Sequence, residues 1–553
     1  MDFSLPAICN AVANAYPDRE CLVFRGRRFT WADTVDRARR LAVILAAEGL
    51  GIHGTLDTTS YASPHDQVAL YLLNGNEYLE GMLGSYWART APVNINYRYV
   101  AEELSYVLRD SGAAAILYHG RYADTLREVL PDLPSLRLLL RVDDGSGDEL
   151  LPGAVDYEAA LVAADPDEAR DDWSPDDLYI LYTGGTTGYP KGVLWRQSDF
   201  LVGCTGLRRR DGSDFGSLDE LVERAARGER LRTLPAPPLM HGAAHWNALS
   251  TWCSGGTVVM QDDVVRLDPA DVLDTCEREQ VTSLLIVGDA FARPLLDEQH
   301  RKPRDLSRLR FLITGGAILS AAAKAQFLEA VPDLQIIDVY GSSESGRQAV
   351  ARSATGTDNG GAGFAREDTA VVLSADLDRV LSPGDDEVGW LAQGGRVPLG
   401  YLGDPDKSAR TFPTVGGVRY SVPGDRARLR RDGTVEMLGR DSVTINSGGE
   451  KIFAEEVENA LKHHRDVYDV LVVGRESARW GQEVVAVVQV RVGRNPADDD
   501  LSAAAASHVA RYKLPKAYVR VPHIVRSPSG KPDYTWARGV ATDGVSEATH
   551  AND

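Results

Sequence analysis

Apolar residues recur at helical spacing from Trp31 to Gly49 and from Glu102 to Asp110, and short β-rich runs such as Gln67 to Leu72 and Ala115 to Tyr118 lie among them. Helices alternating with strands in this way predict α/β layers. Two further apolar runs, Leu284 to Gly288 and Arg310 to Thr314, stop at a glycine or at a glycine pair. Open α/β sheets bind ligands outside the carboxyl ends of their strands, so these glycine ends are candidate ligand positions. Gly51 to His65 is polar and turn-rich where an α/β unit needs only a few linking residues, and it reads as a surface insertion. Around Val422 to Gly439 the texture changes to short alternating strands about Asp432-Gly433, a hairpin signal. Glu455 to His463 then reads as an amphipathic helix, and Val467 to Val473 and Val484 to Val492 as strands. A boundary near Arg440 divides the chain into a large domain, 1–440, and a small α+β domain, 441–553. The segment after Trp536 is polar and is expected to be loose.

Length supports this division, because 553 residues exceed what one hydrophobic core accommodates. The formal charge of −20 argues against nonspecific nucleic-acid binding, which relies on clustered Lys and Arg. Arg208, Arg209 and Arg210 form a short basic run that reads as a solvated loop face. Five cysteines, odd in number and without a CxxC pair, suit a reducing compartment and read as core fillers. The first twenty residues have neither a basic leader nor a long apolar run, and no later stretch reaches bilayer-spanning length. A cytoplasmic enzyme is the expectation.

Candidate chemistry concentrates in Tyr182 to Val193, reading YTGGTTGYPKGV. Gly184, Gly185 and Gly188 free the backbone to approach a polyphosphate closely. Thr183, Thr186 and Thr187 add hydroxyl donors, Lys191 adds a charge, and Pro190 stiffens the exit. It is not a Walker loop, which needs glycine directly before the lysine and Ser or Thr after it. A plain hairpin turn is the alternative reading.

Further segments follow in order: PPLMHGAAHW (237–246), VYGSSE (339–344), YSVPGD (420–425), GRDSVTINSGGEKIFAEEVE (439–458) and SPSGK (527–531). Together with the glycine loop they resemble the adenylate-forming superfamily of acyl-CoA synthetases, luciferases and peptide-synthetase adenylation domains, from about Phe29 to Trp536. Within it, GDAFARPL (288–295), INSGGEKIF and SGKPDY look most like actinobacterial fatty-acyl and steroid side-chain CoA ligases.

The resemblance implies the adenylate-forming enzyme fold, with a large N-terminal domain of layered sheets and helices and a small mobile C-terminal domain. It also implies ATP, Mg²⁺ and CoA as cofactors, and a two-step reaction in which a carboxylate attacks the α-phosphate of ATP and the acyl adenylate then passes to a thiol. Positioned donors and a cation stabilise such a transfer. Thr183 to Lys191 would hold the β- and γ-phosphates, and Glu344 would ligate magnesium. Gly315, Gly316 and Ala317 match the adenine-binding segment, with Tyr340 stacking opposite, and Asp338, Gly341 and Ser343 join the nucleotide site. Asp425 would bind the ribose, supported by Arg440. Lys531 matches the adenylation lysine, with Thr187, Glu344 and His241 as its catalytic companions. His241 would gate the acyl pocket, which Trp246, Gly288 and Gly341 would line. Ser442 falls where the family's hinge carries Asp or Lys. Gly448 and Gly449 would line the pantetheine tunnel, and Lys451 could reach a nucleotide phosphate.

Other readings leave more of these segments unexplained. An α/β-hydrolase elbow fits only Gly184 to Gly188, with Thr186 in place of serine. A nucleotide-binding module would need neither the lysine of SPSGK nor a second domain. Zinc on His241 and His245 lacks a third ligand, and position 242 is glycine. Inside the superfamily the alternatives are a ligase that loads a carrier protein in trans and an aryl-acid CoA ligase; only 22 residues follow Lys531, so no fused carrier is expected. The expected partners are a small carboxylic acid, ATP and CoA, with no nucleic acid, no transmembrane segment, and a homodimer left open.

Overall fold

Strands buried on both faces read as continuous apolar runs, and such runs form one parallel sheet and part of the parallel middle of a second, mixed sheet. A computed structural model describes residues 3–147, 150–185, 188–228, 230–355, 364–366, 369–447, 450–477 and 479–549. One sheet has five parallel strands, in the order Ala91–Asn94, Gln67–Tyr71, Ala113–His119, Leu138–Val142 and Ala154–Asp156. The other has nine strands, and Arg232–Pro235, Ser283–Ile286, Phe311–Gly315 and Gln335–Ser342 run parallel through its middle. The helix expected at 31–49 spans Trp31–Ala47 and is closed at its start by a Thr30–Asp33 capping box. That expected at 102–110 spans Ala101–Ser111 and ends at Gly112, whose φ of 66° needs no Cβ.

A hairpin, Leu178–Gly185 with Gly188–Arg196, pairs with Gly400–Tyr401 to form a three-stranded sheet. The Asp432-Gly433 turn joins Asp425–Leu429 to Val435–Arg440 within a four-stranded sheet. The insertion at 51–65 is tied by bridges Ile52–His65 and Asp57–Ala62, and its Tyr61 ring fills the space where a Cβ on Gly400 would stand.

A separate apolar core gathers Ile445, Ile452, Val457, Leu471, Val487 and Leu501, on strands and helices that begin after Arg440. The segment after Trp536 differs from expectation. Tyr534–Thr549 is helical, and it buries Ala537 and Ala541 in this core while Trp536 and Val540 pack against it. Its alanines, separated by four, present a small apolar stripe that composition alone hides among polar neighbours. The basic run also departs from a purely solvated face, since Arg209 pairs with Glu220. All five cysteines are free and buried. Among the described residues no helix is long and apolar enough to cross a membrane.

Candidate active site

Strand ends of the large core and one loop of the small core converge. Phe311–Gly315 ends in Gly315 and Gly316, and a Cβ on Gly315 would come within 2.8 Å of the Val339 carbonyl, so that close approach requires glycine. Gly316, with φ 78°, is exposed at the cleft. Facing it is Lys531, whose loop is folded by Gly530 N–H donating to the Ser527 carbonyl (2.8 Å) and Ser527 N–H donating to the Lys531 carbonyl (2.9 Å). The Lys531 side chain retains exposed surface, and its pKa is lowered by the protein packed around it, then by Arg440, with Glu344 opposing.

Asp425 and Arg440 are register partners across the Asp425–Leu429 and Val435–Arg440 pair, with Arg440 Nε 3.3 Å from Asp425 Oδ1. Burial raises the Asp425 pKa against the opposing pull of Arg440, and Oδ1 has no well-aligned hydrogen bond, which suits a carboxylate awaiting a diol donor. Tyr340 is half-buried beside it, its ring edge-on to Phe364 at 5.9 Å. Glu344 sits in the turn joining Gln335–Ser342 to Gly346–Ala354; its Oε1 accepts from Tyr401 Oη (3.0 Å) and its carbonyl from Ser421. No cluster of three metal-ligating side chains occurs among the described residues. A lone fixed carboxylate fits magnesium, which takes most of its oxygens from phosphates and water.

The glycine loop is a hairpin in this structure, registering Tyr182 with Gly192, Thr183 with Lys191 and Gly185 with Gly188. Thr186 and Thr187 lie outside the described residues, as do Gly448 and Gly449. Lys191 is not a free tether: its Nζ is 2.8 Å from Asp110 Oδ1, and Tyr182 Oη donates to the other oxygen at 2.8 Å. Partial burial disfavours its charge, but Asp110 and Tyr106 outweigh that and raise its pKa. Asp338, grouped with the nucleotide site by resemblance, is buried with Oδ2 2.7 Å from Lys324 Nζ. Ser343 contributes its carbonyl to Trp195 Nε1 (3.0 Å), and Gly341 lies at an irregularity in its hairpin where a Cβ would collide with the Gly346 carbonyl. Lys451 is exposed on Glu450–Phe453, and Ser442 is exposed in the turn Asp441–Val443.

The two histidines are unlike. His245 is buried, and its Nδ1 is 2.7 Å from the Leu239 carbonyl, which can only accept, so Nδ1 carries the proton and Nε2 accepts from Tyr179 Oη. Burial holds its pKa down to about 4. With both nitrogens committed, His245 is no metal ligand. His241, just ahead of helix Gly242–Trp252, has a buried Nε2 without a partner, and its pKa is pushed down to about 3 by burial, then by Lys531 and His245. It is a neutral imidazole with hydrogen-bonding capacity to spare. Trp246 is tied by Nε1 to Tyr179 Oη (2.7 Å) and packs against Gly242, so it is anchored rather than a free wall. Gly288 is buried, with φ 53°, and a Cβ there would lie 2.5 Å from the Ile318 carbonyl and 2.9 Å from the Ala317 Cβ, so it packs tightly against the segment that follows Gly316.

Several positioning residues escaped the sequence reading. Asn94 accepts from Tyr182 N–H (2.8 Å) and donates to the carbonyls of Tyr182 and Met240, fastening the glycine hairpin to the segment before His241. Asn74 does the same for Pro237 and Leu239. Both lie just beyond or at the carboxyl ends of buried strands, the one signal that could have found them. Glu455 places its carboxyl 3.4 Å from a Cβ on Gly439, and burial with Glu458 and Asp425 raises its pKa to about 7.

The AMP-binding enzyme family matches residues 9–402, and the AMP-binding enzyme C-terminal domain matches residues 456–531. The chain belongs to the AMP-binding enzyme family. Among its relatives, the medium-chain acyl-CoA ligase Mig of Mycobacterium avium is 49% identical over 98% of this chain and 99% of that protein. The 3-oxocholest-4-en-26-oate–CoA ligase of Rhodococcus rhodochrous is 39% identical over 94% of this chain and 93% of its own. The crystal structure of the anthranilate CoA ligase AuaEII with anthranoyl-AMP superposes with a TM-score of 0.82 at 19% identity, covering 99% of this chain and 98% of that one. The adenylate-forming fold is thereby established, and in this AMP-binding enzyme the strand-end cleft carrying Gly316, Asp425 and Lys531 is the candidate nucleotide site.

Proposed function

We propose that the protein is an ATP-dependent carboxylic acid:CoA ligase that forms an acyl adenylate and then an acyl-CoA thioester, releasing pyrophosphate and AMP. The observation that carries this reading is the convergence of Lys531 on Gly316, Arg440 and Glu344, which brings one cation from the small core to the nucleotide cleft of the large one. The Lys531 ammonium would bridge the substrate carboxylate and the α-phosphate as charge develops between them. Asp425 would hold the ribose diol with Arg440 beside it, and Gly315 to Ala317 would lie against the adenine. His241, neutral and unpartnered, would stand at the carboxylate. Bound magnesium, held by Glu344, would neutralise phosphoryl oxygens. The small domain, 441–553, would turn about Ser442 for the second step, a familiar way to assemble two sites from one set of parts.

The acid is proposed to be a medium- to long-chain fatty acid or a steroid side-chain carboxylate, because relatives at 39–49% identity over nearly the whole chain are named for such substrates. The test is acid-dependent exchange of pyrophosphate into ATP, with magnesium, across fatty, steroid and aromatic acids. Fatty or steroid acids should support exchange and CoA should then draw off thioester; silence across the panel would overturn the reading. Lys531→Ala should abolish exchange yet still convert a supplied acyl adenylate to thioester.

A further inference from the structure

Asp289 and Arg293 of the segment GDAFARPL have no role in the chemistry above, yet both side chains face charged or polar groups of the small core. Helix Gly288–Arg301 carries Asp289 and Arg293, both buried, with Arg293 Nη2 3.1 Å from Asp289 Oδ2. Arg293 Nη1 donates to the Val467 carbonyl (3.1 Å), and its guanidinium lies 5.5 Å from the Tyr468 ring centre, both residues belonging to the strand Val467–Ser477. Asp289 Oδ1 accepts from Ser320 N–H (2.8 Å), which fixes the carboxylate to the large core. Its Oδ2 lies 3.8 Å from the buried Lys462 Nζ of the small core, and Lys462 lies 3.7 Å from Asp469.

From Asp469 the polar path continues to the catalytic loop. Arg526 grips both Asp469 oxygens at 2.7 and 2.8 Å, and its Nη1 donates to the Gly530 carbonyl at 3.1 Å, one residue before Lys531. Side by side with this path, Gly530 lies against the same helix start. With φ 75°, a Cβ there would meet Val287 Cγ1 at 3.1 Å and Phe291 Cε2 at 3.2 Å. A buried charge network is weak evidence for stability, and in some proteins its use is to fix geometry. Here the geometry it fixes is the seating of one lysine.

We propose that Asp289 and Arg293 form an interdomain latch with Lys462, Asp469 and Arg526 that seats Lys531 for adenylation, making Arg293 and Lys462 positioning residues for the first half-reaction alone. The proposal rests on the ligase reading. The latch joins the cores only while they are docked in this arrangement, so the thioester-forming step, if it uses another arrangement, gains nothing from it.

Lys462→Met removes the bridging cation while leaving Asp289 with Arg293, Asp469 with Arg526 and Glu458 with the Val472 N–H, so each buried carboxylate keeps a partner. Lys462→Met and Arg293→Met should lower acid-dependent ATP–pyrophosphate exchange about tenfold, with thioester formation from supplied acyl adenylate within about twofold of wild type. Lys462→Arg should restore most of the exchange rate. Independently of activity, both Met variants should speed proteolytic cleavage in the 440–444 segment by several-fold. Equal loss of both half-reactions, or unchanged exchange and cleavage, would overturn the latch. A wild-type protein without exchange whose Met variants are nevertheless cleaved faster would instead sink the ligase reading and keep the latch.

Discussion

Lys531 Cε lies 3.9 Å from the position a Cβ would take on Gly316, so a cation carried by the small core stands over the glycine end of a strand in the large core. Two glycines make this approach feasible. Gly316 offers no side chain to the incoming lysine, and Gly530 turns the loop with φ 75° against Val287 and Phe291.

Gly530→Ala should therefore act on adenylation specifically. An L-residue in the left-handed region costs about 1–2 kcal/mol, and the added methyl presses on Val287 and Phe291. Exchange should fall on the order of tenfold, the equivalent of about 1.4 kcal/mol in the barrier. Thermal stability should fall by no more than that strain, about 1–2 kcal/mol, and the reaction of supplied acyl adenylate with CoA should change little. An unchanged exchange rate would show that the loop tolerates displacement.

The pH dependence of exchange should report Lys531. Loss of solvent and the neighbouring Arg440 lower its pKa from 10.5. In the proposed role the ammonium, not the amine, would bridge two anions, so activity should be present below the lowered pKa and lost as pH rises through it. The alkaline limb of kcat should consequently lie below pH 10.5, the ordinary lysine value. Lys531→Arg, if it retains measurable exchange, should remove that limb; a limb unmoved by this substitution belongs to another group.

Asp110→Asn should release Lys191. In this structure Asp110 holds the Lys191 ammonium at 2.8 Å and accepts from Tyr182 and Tyr106. A lysine that must leave a carboxylate to meet a phosphate binds that phosphate less tightly, so the variant should lower the KM for ATP about threefold with kcat little changed. The lost hydrogen bonds should cost about 1 kcal/mol of stability, measurable by denaturant unfolding. A raised KM would mean that Asp110 preorganises Lys191 rather than competing for it.

Much of the fold could be read from the chain because its period is local. The helix at Trp31–Ala47, the strands at Gln67–Tyr71 and Phe311–Gly315 and the Asp432-Gly433 hairpin all follow from spacing and turn chemistry within a few residues. The helix Tyr534–Thr549 was hidden because its apolar stripe is mostly alanine, and only packing against the small core makes it count. The chemical residues of the site stood in recognisable segments, but their partners did not. Asn94 reaches Tyr182 and Met240 from 88 and 146 positions away, and Arg293 reaches Val467 across 174. Such pairings are set by topology, and no periodicity records them. The same holds for Lys191, whose motif announces a phosphate ligand while the fold supplies Asp110.

The cross-strand pairing of Asp425 with Arg440 has a mechanical consequence. Both side chains belong to the sheet that ends where the small core begins, so they are fixed to the frame and not to the door. If Asp425 and Arg440 grip the ribose and the small core turns about Ser442, as proposed, Lys531 would move away while that grip stayed still. The nucleotide would then serve as the pivot pin: held at the axle, it can remain bound through both halves of a reaction even as the group that started the first half moves out of reach.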